Sequence, residues 1–160
     1  MPTYACTTTV SVEKTKVEIE RILKRYGANA FVNSGYREQA MIQFLLRGRV
    51  LRFVITLPSK SDPVFERIPK SQQLRDPEAQ EAMWQQAIRQ RWRALQLIIK
   101  AKLEAIDAGI TTLDEEFLGW IVLPDGATVG QRMIPQVAEA DKLGKMPPMR
   151  AVVDDSPPSV

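Results

Sequence analysis

Seven cations stand where side-chain chemistry could be done. Arg47 and Arg49 flank Gly48 in "RGR", Arg52 follows shortly after, and Lys60 lies in "PSKSDP". Arg89, Arg93 and Lys100 recur at helical spacing in "IRQRWRALQLIIKAKLEAI". Guanidinium and ammonium groups at this density suit the binding of phosphate, because clustered cations raise the local concentration of anions and donate charge-assisted hydrogen bonds. The partners that catalysis would need are missing. The chain has no His and a single Cys, Cys6, which removes Cys/His zinc sites, internal disulfides and every His-based triad or general base. "YGANAFVNSG" and "LPDGATVG" lack the glycine spacing of phosphate loops and dinucleotide folds. Asp114-Glu115-Glu116 and Asp154-Asp155 could in principle hold Mg²⁺, but the first run falls in the opening turn of a helix, where acids offset the dipole, and the second falls in a tail. The expectation is a binding protein, not an enzyme, with no metal and no cofactor.

Charge along the chain sharpens that expectation. The net charge of +3 hides a division: residues 1–103 carry 18 Lys and Arg against 9 Asp and Glu, a net of +9, whereas residues 104–160 carry 4 against 10, a net of −6. Two readings follow. The basic part meets an anionic partner, or the acidic part folds back and neutralises it. With 160 residues, 44% of them hydrophobic, the chain has the length and composition of one globular domain, expected over 1–144 with a proline-rich, disordered tail at 145–160. No apolar run approaches the roughly 20 residues that span a bilayer, and "MPTYACTTTVSVEK" lacks the basic and apolar segments of a secretory signal. A cytoplasmic location without membrane contact is expected.

The elements that must position the cations can be read from spacing. Val12, Ile19, Ile22, Leu23 and Tyr26 recur at helical intervals between an N-cap at Ser11 and a stop at Gly27, and Lys14, Glu18, Arg21, Lys24 and Arg25 fall on the outer face. Late cations also suit the helix dipole. From Asn29 to Leu57 the pattern turns to strands: "AFVNSGY", interrupted at Ser34-Gly35, then "EQAMIQFLL", the "RGR" turn and "VLRFVITLP", an antiparallel meander of three strands. In the last strand Leu51, Phe53, Ile55 and Leu57 share the core face and Arg52 lies on the other, close to the basic turn. Residues 58–77 hold four prolines without periodicity, which predicts a flap or a flexible connector. After the long helix, Thr112 and Glu115 have capping-box spacing ahead of a short helix with Phe117, Leu118 and Ile121; "LPDG" is a turn; and Thr128 starts a last helix kinked or restarted at Pro135 and stopped at Gly144. The fold class is α+β: helix, three-stranded antiparallel meander, long helix, then two or three short helices.

On a helical wheel Trp84, Ile88, Trp92, Leu95, Ile99, Leu103 and Ile106 form the core stripe of the long helix, and Arg89, Arg93 and Lys100, with Gln86 and Gln96 near them, form a polar and basic ridge roughly opposite. Arg91 and Lys102 fall at the stripe's edge and need either a route to water or an acid, such as the 114–116 run or Glu104. Trp92 or Tyr36 is available for base stacking, although Trp92 lies on the core stripe and suits packing better than stacking.

"VSVEKTKVEIERILKRYGA", "RVLRFVITLP", "RQRWRALQLIIKAKLEAIDAGITTLDEEFLGWIVLPDGATVG" and "MPP" together resemble a group of small, functionally uncharacterised proteins encoded by phages and prophages. The resemblance implies a phage gene product acting in the bacterial cytoplasm on nucleic-acid metabolism, recombination or host defence. The order helix, three strands, long helix is also similar to the double-stranded RNA-binding domain, and its strand and long-helix part to phage annealing proteins. The leading expectation is a non-enzymatic nucleic-acid-binding protein, DNA first among its ligands, that contacts backbone phosphates through Arg47, Arg49, Arg52, Lys60, Arg89, Arg93 and Lys100. The alternative is a counter-defence protein that sequesters a nucleotide or another phosphate-bearing ligand, or inhibits a host protein, with its cations at an oligomer interface. An assembly role for a homo-oligomer is a third.

Overall fold

A computed structural model describes residues 8–36, 38–68, 71 and 73–145, the side chain of Tyr36 excepted. The tail expected from residue 145 onward lies, apart from Lys145, outside these described residues.

Helix α1 (Val12–Arg25) begins where Ser11 accepts from the Lys14 amide and ends at Tyr26, with Gly27 next. Its apolar positions bury Ile19 and Leu23 together with Thr15, whose hydroxyl donates back to the Ser11 carbonyl at 3.0 Å. Strands β1 (Asn29–Tyr36), β2 (Gln39–Leu46) and β3 (Arg49–Thr56) then form an antiparallel meander in the order β1-β2-β3. Leu46 pairs with Arg49, so the hairpin turn is Arg47-Gly48 alone, with φ values of 48° and 79°. Two consecutive positive φ angles match the twist of the flanking strands, and Gly48 accepts the second of them without steric cost.

Strand β1 departs from expectation. It runs unbroken through Ser34 and Gly35, which pair with Met41 and Ala40, and the irregularity falls instead at Ala30, which has φ 53°, between the Asn29 and Val32 pairings. An edge strand with its outer side free tolerates a small Ser-Gly pair, whereas a bulge is what bends it into line.

The segment after β3 is not the structureless flap expected over residues 58–77. Asp62 caps a short helix α2 (Pro63–Glu66), Phe65 on it is buried, and the chain doubles back through an Arg67–Leu74 bridge supported by the Ile68 amide on the Gln73 carbonyl at 2.9 Å. One buried aromatic with one cap orders the segment against α3 (Pro77–Asp107), which opens at Asp76 with Pro77 in its first turn.

A single core unites these elements. Ala40, Ile42, Phe44, Leu46, Leu51 and Phe53 of the sheet meet Ile19 and Leu23 of α1 and Trp92, Leu95, Ile99 and Leu103 of α3, the stripe read from the wheel. Each fully buried Leu or Phe contributes about 1.5–3 kcal/mol relative to exposure. Beyond α3, Thr112 and Glu115 form the expected capping box and α4 (Leu113–Phe117) follows. It is shorter than the sequence suggested: Leu118–Trp120 tighten into a 3-10 turn that leaves Leu118 exposed, and Ile121 is extended, bridging Leu51 at the β3 edge. Only Phe117, wholly buried, is drawn from α4 into the core. The turn at Leu123–Gly126 leads to a second capping box, Thr128 with Gln131, and to α5 (Val129–Leu143), which is one helix through Pro135 and ends at Gly144. Gly130 lets α5 cross the 3-10 turn closely, since a Cβ there would stand 2.7 Å from the Gly119 carbonyl oxygen. Among the described residues no helix is long and apolar enough to cross a membrane.

Candidate nucleic-acid interface

Helices α1 and α3 lie side by side and run parallel. The Gln86 amide donates to the Thr8 carbonyl at 3.0 Å, Lys16 lies over the Trp92 ring at 4.7 Å, Arg93 meets Glu18 at 2.6 Å, and the Glu104 carboxylate acts on the Tyr26 hydroxyl. Contacts therefore advance toward the C-terminus on both helices together. Burial, helped by that Glu104 carboxylate, pushes the Tyr26 hydroxyl above its ordinary pKa.

The Arg93–Glu18 contact joins two cationic stripes. On α1, Glu18 is surrounded by Lys14, Arg21 and Arg25 at four, three and seven residues' distance, all exposed on one face. On α3, Arg93 is one turn from Arg89 and two turns from Lys100, again on one face. Each stripe spans eleven residues, about 16 Å of helix at 1.5 Å per residue. Arg89 is held by its own helix, its Nε donating to Gln86 Oε1 at 3.0 Å, and Lys100 is exposed. Lys14, Arg21, Arg25 and Lys100 are exposed and Arg89 and Arg93 part-buried beside the seam of the two helices, while Gln96, on the ridge between Arg93 and Lys100, is buried. Lys14, Arg21 and Arg25 were visible in the sequence as part of an outer face of α1, where the dipole accounts for the last-turn cations about as well as binding does; the parallel packing of α1 on α3 brings that face beside the ridge.

The other four expected cations lie elsewhere, and each but one is held by the chain itself. Arg49 makes a two-pronged contact with Asp114, Nε to Oδ1 at 2.9 Å and Nη2 to Oδ2 at 2.8 Å, which raises its own pKa and holds the Asp114 carboxyl below its usual value. Arg47 stays exposed beside it, lining an open hollow with Gly48, Thr112, Leu113 and Asp114. Arg52 lies on the opposite face of the sheet from the helices, donating to Gln43 Oε1 at 2.9 Å and to the Gly126 carbonyl at 2.8 Å. Lys60 pairs with Glu81 at 2.5 Å and lies over Trp84 at 5.5 Å, and that hydrogen bond lowers the Glu81 pKa. Along α3, Arg89 is eighteen residues, about 27 Å, from the end that leads to α4 and the hairpin tip. Lys100, at the other end of the ridge, is seven residues, about 10 Å, from that end.

The pair at the edge of the core stripe divides. Lys102, with 18% of its side chain exposed, donates to Glu116 Oε1 at 2.7 Å and to the Glu116 carbonyl at 3.0 Å while lying 4.6 Å from the Trp120 ring. Arg91 reaches water directly and is exposed. The acidic run is thereby distributed: Asp114 on Arg49, Glu116 on Lys102, and Glu115 in the capping box, its pKa lowered by the Thr112 hydroxyl and amide. Asp125 is likewise lowered, first by the Ala127 amide and then by Arg132. Among the described residues no three His, Cys, Asp or Glu side chains gather as metal ligands.

Trp92 is 3% exposed and belongs to the core; the side chain of Tyr36, the other ring considered for stacking, lies outside the described residues. No protein-family model, curated protein or solved structure matches the chain.

Proposed function

We propose that this protein binds nucleic acid without catalysing a reaction on it, and that the contact is made by the outer face of α1 and α3. The observation that carries the reading is the junction at Arg93–Glu18, which sets Lys14, Arg21 and Arg25 beside Arg89, Arg93 and Lys100 on one surface. Over α1 and α3 together ten Lys and Arg stand against seven Asp and Glu, so the two helices keep a cationic excess. Such a surface attracts a polyanion by releasing its condensed counterions, a gain independent of base sequence. A pocket for a single nucleotide is less well supported, because the hollow at the hairpin tip presents one exposed cation, Arg47, beside the Arg49–Asp114 pair.

Fluorescence anisotropy with labelled 20-mer nucleic acids at low salt tests the reading. Micromolar or tighter binding is expected, with log K falling against log salt at a slope between about −3 and −5, as up to six contacted phosphates require. The double substitution Arg21→Glu, Lys100→Glu changes two exposed side chains and should weaken binding at least tenfold. Absence of binding at micromolar protein in 50 mM salt, or equal binding by the double variant, would remove this function.

A further inference from the structure

We infer that the ligand of this surface is a duplex, held through its backbone alone. The inference rests on the nucleic-acid reading above and narrows it to a class of ligand. Its observation concerns the aromatic rings. Phe44, Phe53, Phe65 and Phe117 are buried. The remaining described rings each carry a cation of this same chain: Lys24 lies over Phe31 at 5.6 Å and Arg25 over Tyr26 at 5.9 Å, in addition to Lys16 on Trp92, Lys60 on Trp84 and Lys102 on Trp120. Trp84 is further fixed by its indole N–H, which donates to the Pro58 carbonyl at 2.8 Å, and Trp120 is stacked on Phe53 with centroids 5.0 Å apart.

Single-stranded nucleic acid is bound tightly where bases stack on open aromatic faces along a cationic groove. The basic face of α1 and α3 has the cations and, among the described rings, lacks the open faces. The two rings beside it, Trp92 and Tyr26, are capped by Lys16 and Arg25, and Trp92 is also buried. A flexible strand would lose its freedom on such a surface and gain only phosphate contacts. A duplex arrives with its phosphates already fixed at high density, one charge per about 1.7 Å of axis, and needs no stacking platform. The dimensions agree: two stripes of about 16 Å on helices that pack roughly 8–10 Å apart cover about five base-pair steps. DNA and RNA duplexes share the chemistry invoked, and recognition through the backbone is what a sequence-tolerant duplex binder uses.

The experiment is a competition at fixed salt between 20-base-pair DNA and RNA duplexes and their isolated strands, read by anisotropy and by tryptophan emission of the full chain. Duplex of either kind should bind at least tenfold tighter than the strands, with tryptophan emission unchanged on binding. Strands that bind as tightly as duplex, or a quench of tryptophan emission by strands, would overturn the inference and leave the nucleic-acid reading standing. Failure of duplex and strands alike would overturn that reading and this inference with it. The control Arg47→Gln, at the hairpin tip, should change duplex affinity less than twofold; a tenfold loss there would move the contact off the helix layer and also overturn the inference.

Discussion

The helix layer and the hairpin side use the same residue types for different ends. At the hairpin side the acidic part of the chain has come back to meet the basic part: Asp114 takes Arg49, Glu116 takes Lys102, and the Gly126 carbonyl takes Arg52. These contacts tie the segment from α4 to α5 onto β3 and α3. On the helix layer the Arg93–Glu18 ion pair between the helices takes its acid from α1 itself. The neutralising reading of the charge division is met at the hairpin side, and an anionic partner is what we propose for the helix layer. Among the described residues the chain after α3 runs over the β3 edge, where Ile121 bridges Leu51, and so brings its acids to the hairpin side. A cation's role here is set by the route of a distant segment more than by its own neighbours in sequence.

That contrast can be broken most severely at Gly130. Gly130→Ala would place a Cβ 2.7 Å from the Gly119 carbonyl, a backbone atom that cannot swing aside, so α5 must lift from the 3-10 turn. Overpacking of this kind costs about 1–3 kcal/mol, which exceeds the up to ~1 kcal/mol that Ala gains over Gly in a helix. Urea unfolding should show the loss. Gly119→Ala is the control, since nothing lies within 4 Å of its Cβ, and equal losses in the two variants would contradict the close crossing. Next in size is Lys102→Met, which keeps the packing over Trp120 but leaves Glu116, with 28% of its side chain exposed, without its partner. A loss of about 1–2 kcal/mol is expected. Arg93→Met breaks the matching pair on the helix layer, where the two side chains are 29% and 27% exposed, and should cost less, about 0.5–1 kcal/mol. If the helix-layer variant proved the more damaging, the distinction between ties and surface charge would fail.

A smaller effect follows from acidity. Arg49 holds the Asp114 carboxyl below its ordinary pKa in the folded chain, so the folded state takes up that proton less readily than the unfolded one. The contribution is complete above the unfolded value and is lost as pH falls through the folded one, which places the window below about pH 4. The thermal midpoint should decline there, and Asp114→Asn should remove part of the decline. An acid limb of the same steepness in the variant would show that this contact does not tie the segment.

Local signals made much of the fold legible. Ser11, Thr112 with Glu115, and Thr128 cap as their spacing says, the Arg47-Gly48 turn closes the expected hairpin, and the Trp92, Leu95, Ile99, Leu103 stripe is buried. Each depends on residues within a turn or two of one another. The segment with α2 was illegible because its order comes from one side chain, Phe65, finding a place against the rest of the chain. The candidate surface was half legible for a related reason. Arg89, Arg93 and Lys100 could be grouped by their own helix, but their neighbours on α1 stand 75 residues away along the chain, as Glu18 does from Arg93. Likewise Arg49 looked available for phosphate because Asp114 is 65 residues distant. Periodicity reports a face; it does not report what lies against it.

The smallest effect expected is also the one that most sharpens the contrast. Lys100→Gln and Arg21→Gln alter exposed side chains at which no burial, cap or backbone contact is at stake, and substitutions of that kind stay within about 0.5 kcal/mol of neutrality. If the helix layer is a surface for a polyanion, these two should leave the urea midpoint unchanged while shallowing the salt dependence of nucleic-acid binding, since each removed phosphate contact takes about 0.9 from the slope on a duplex. A residue kept for packing would show the reverse, a shifted midpoint with an unchanged slope. Stability and salt slope are therefore independent readouts of the same two positions, and only a binding role moves the second without the first.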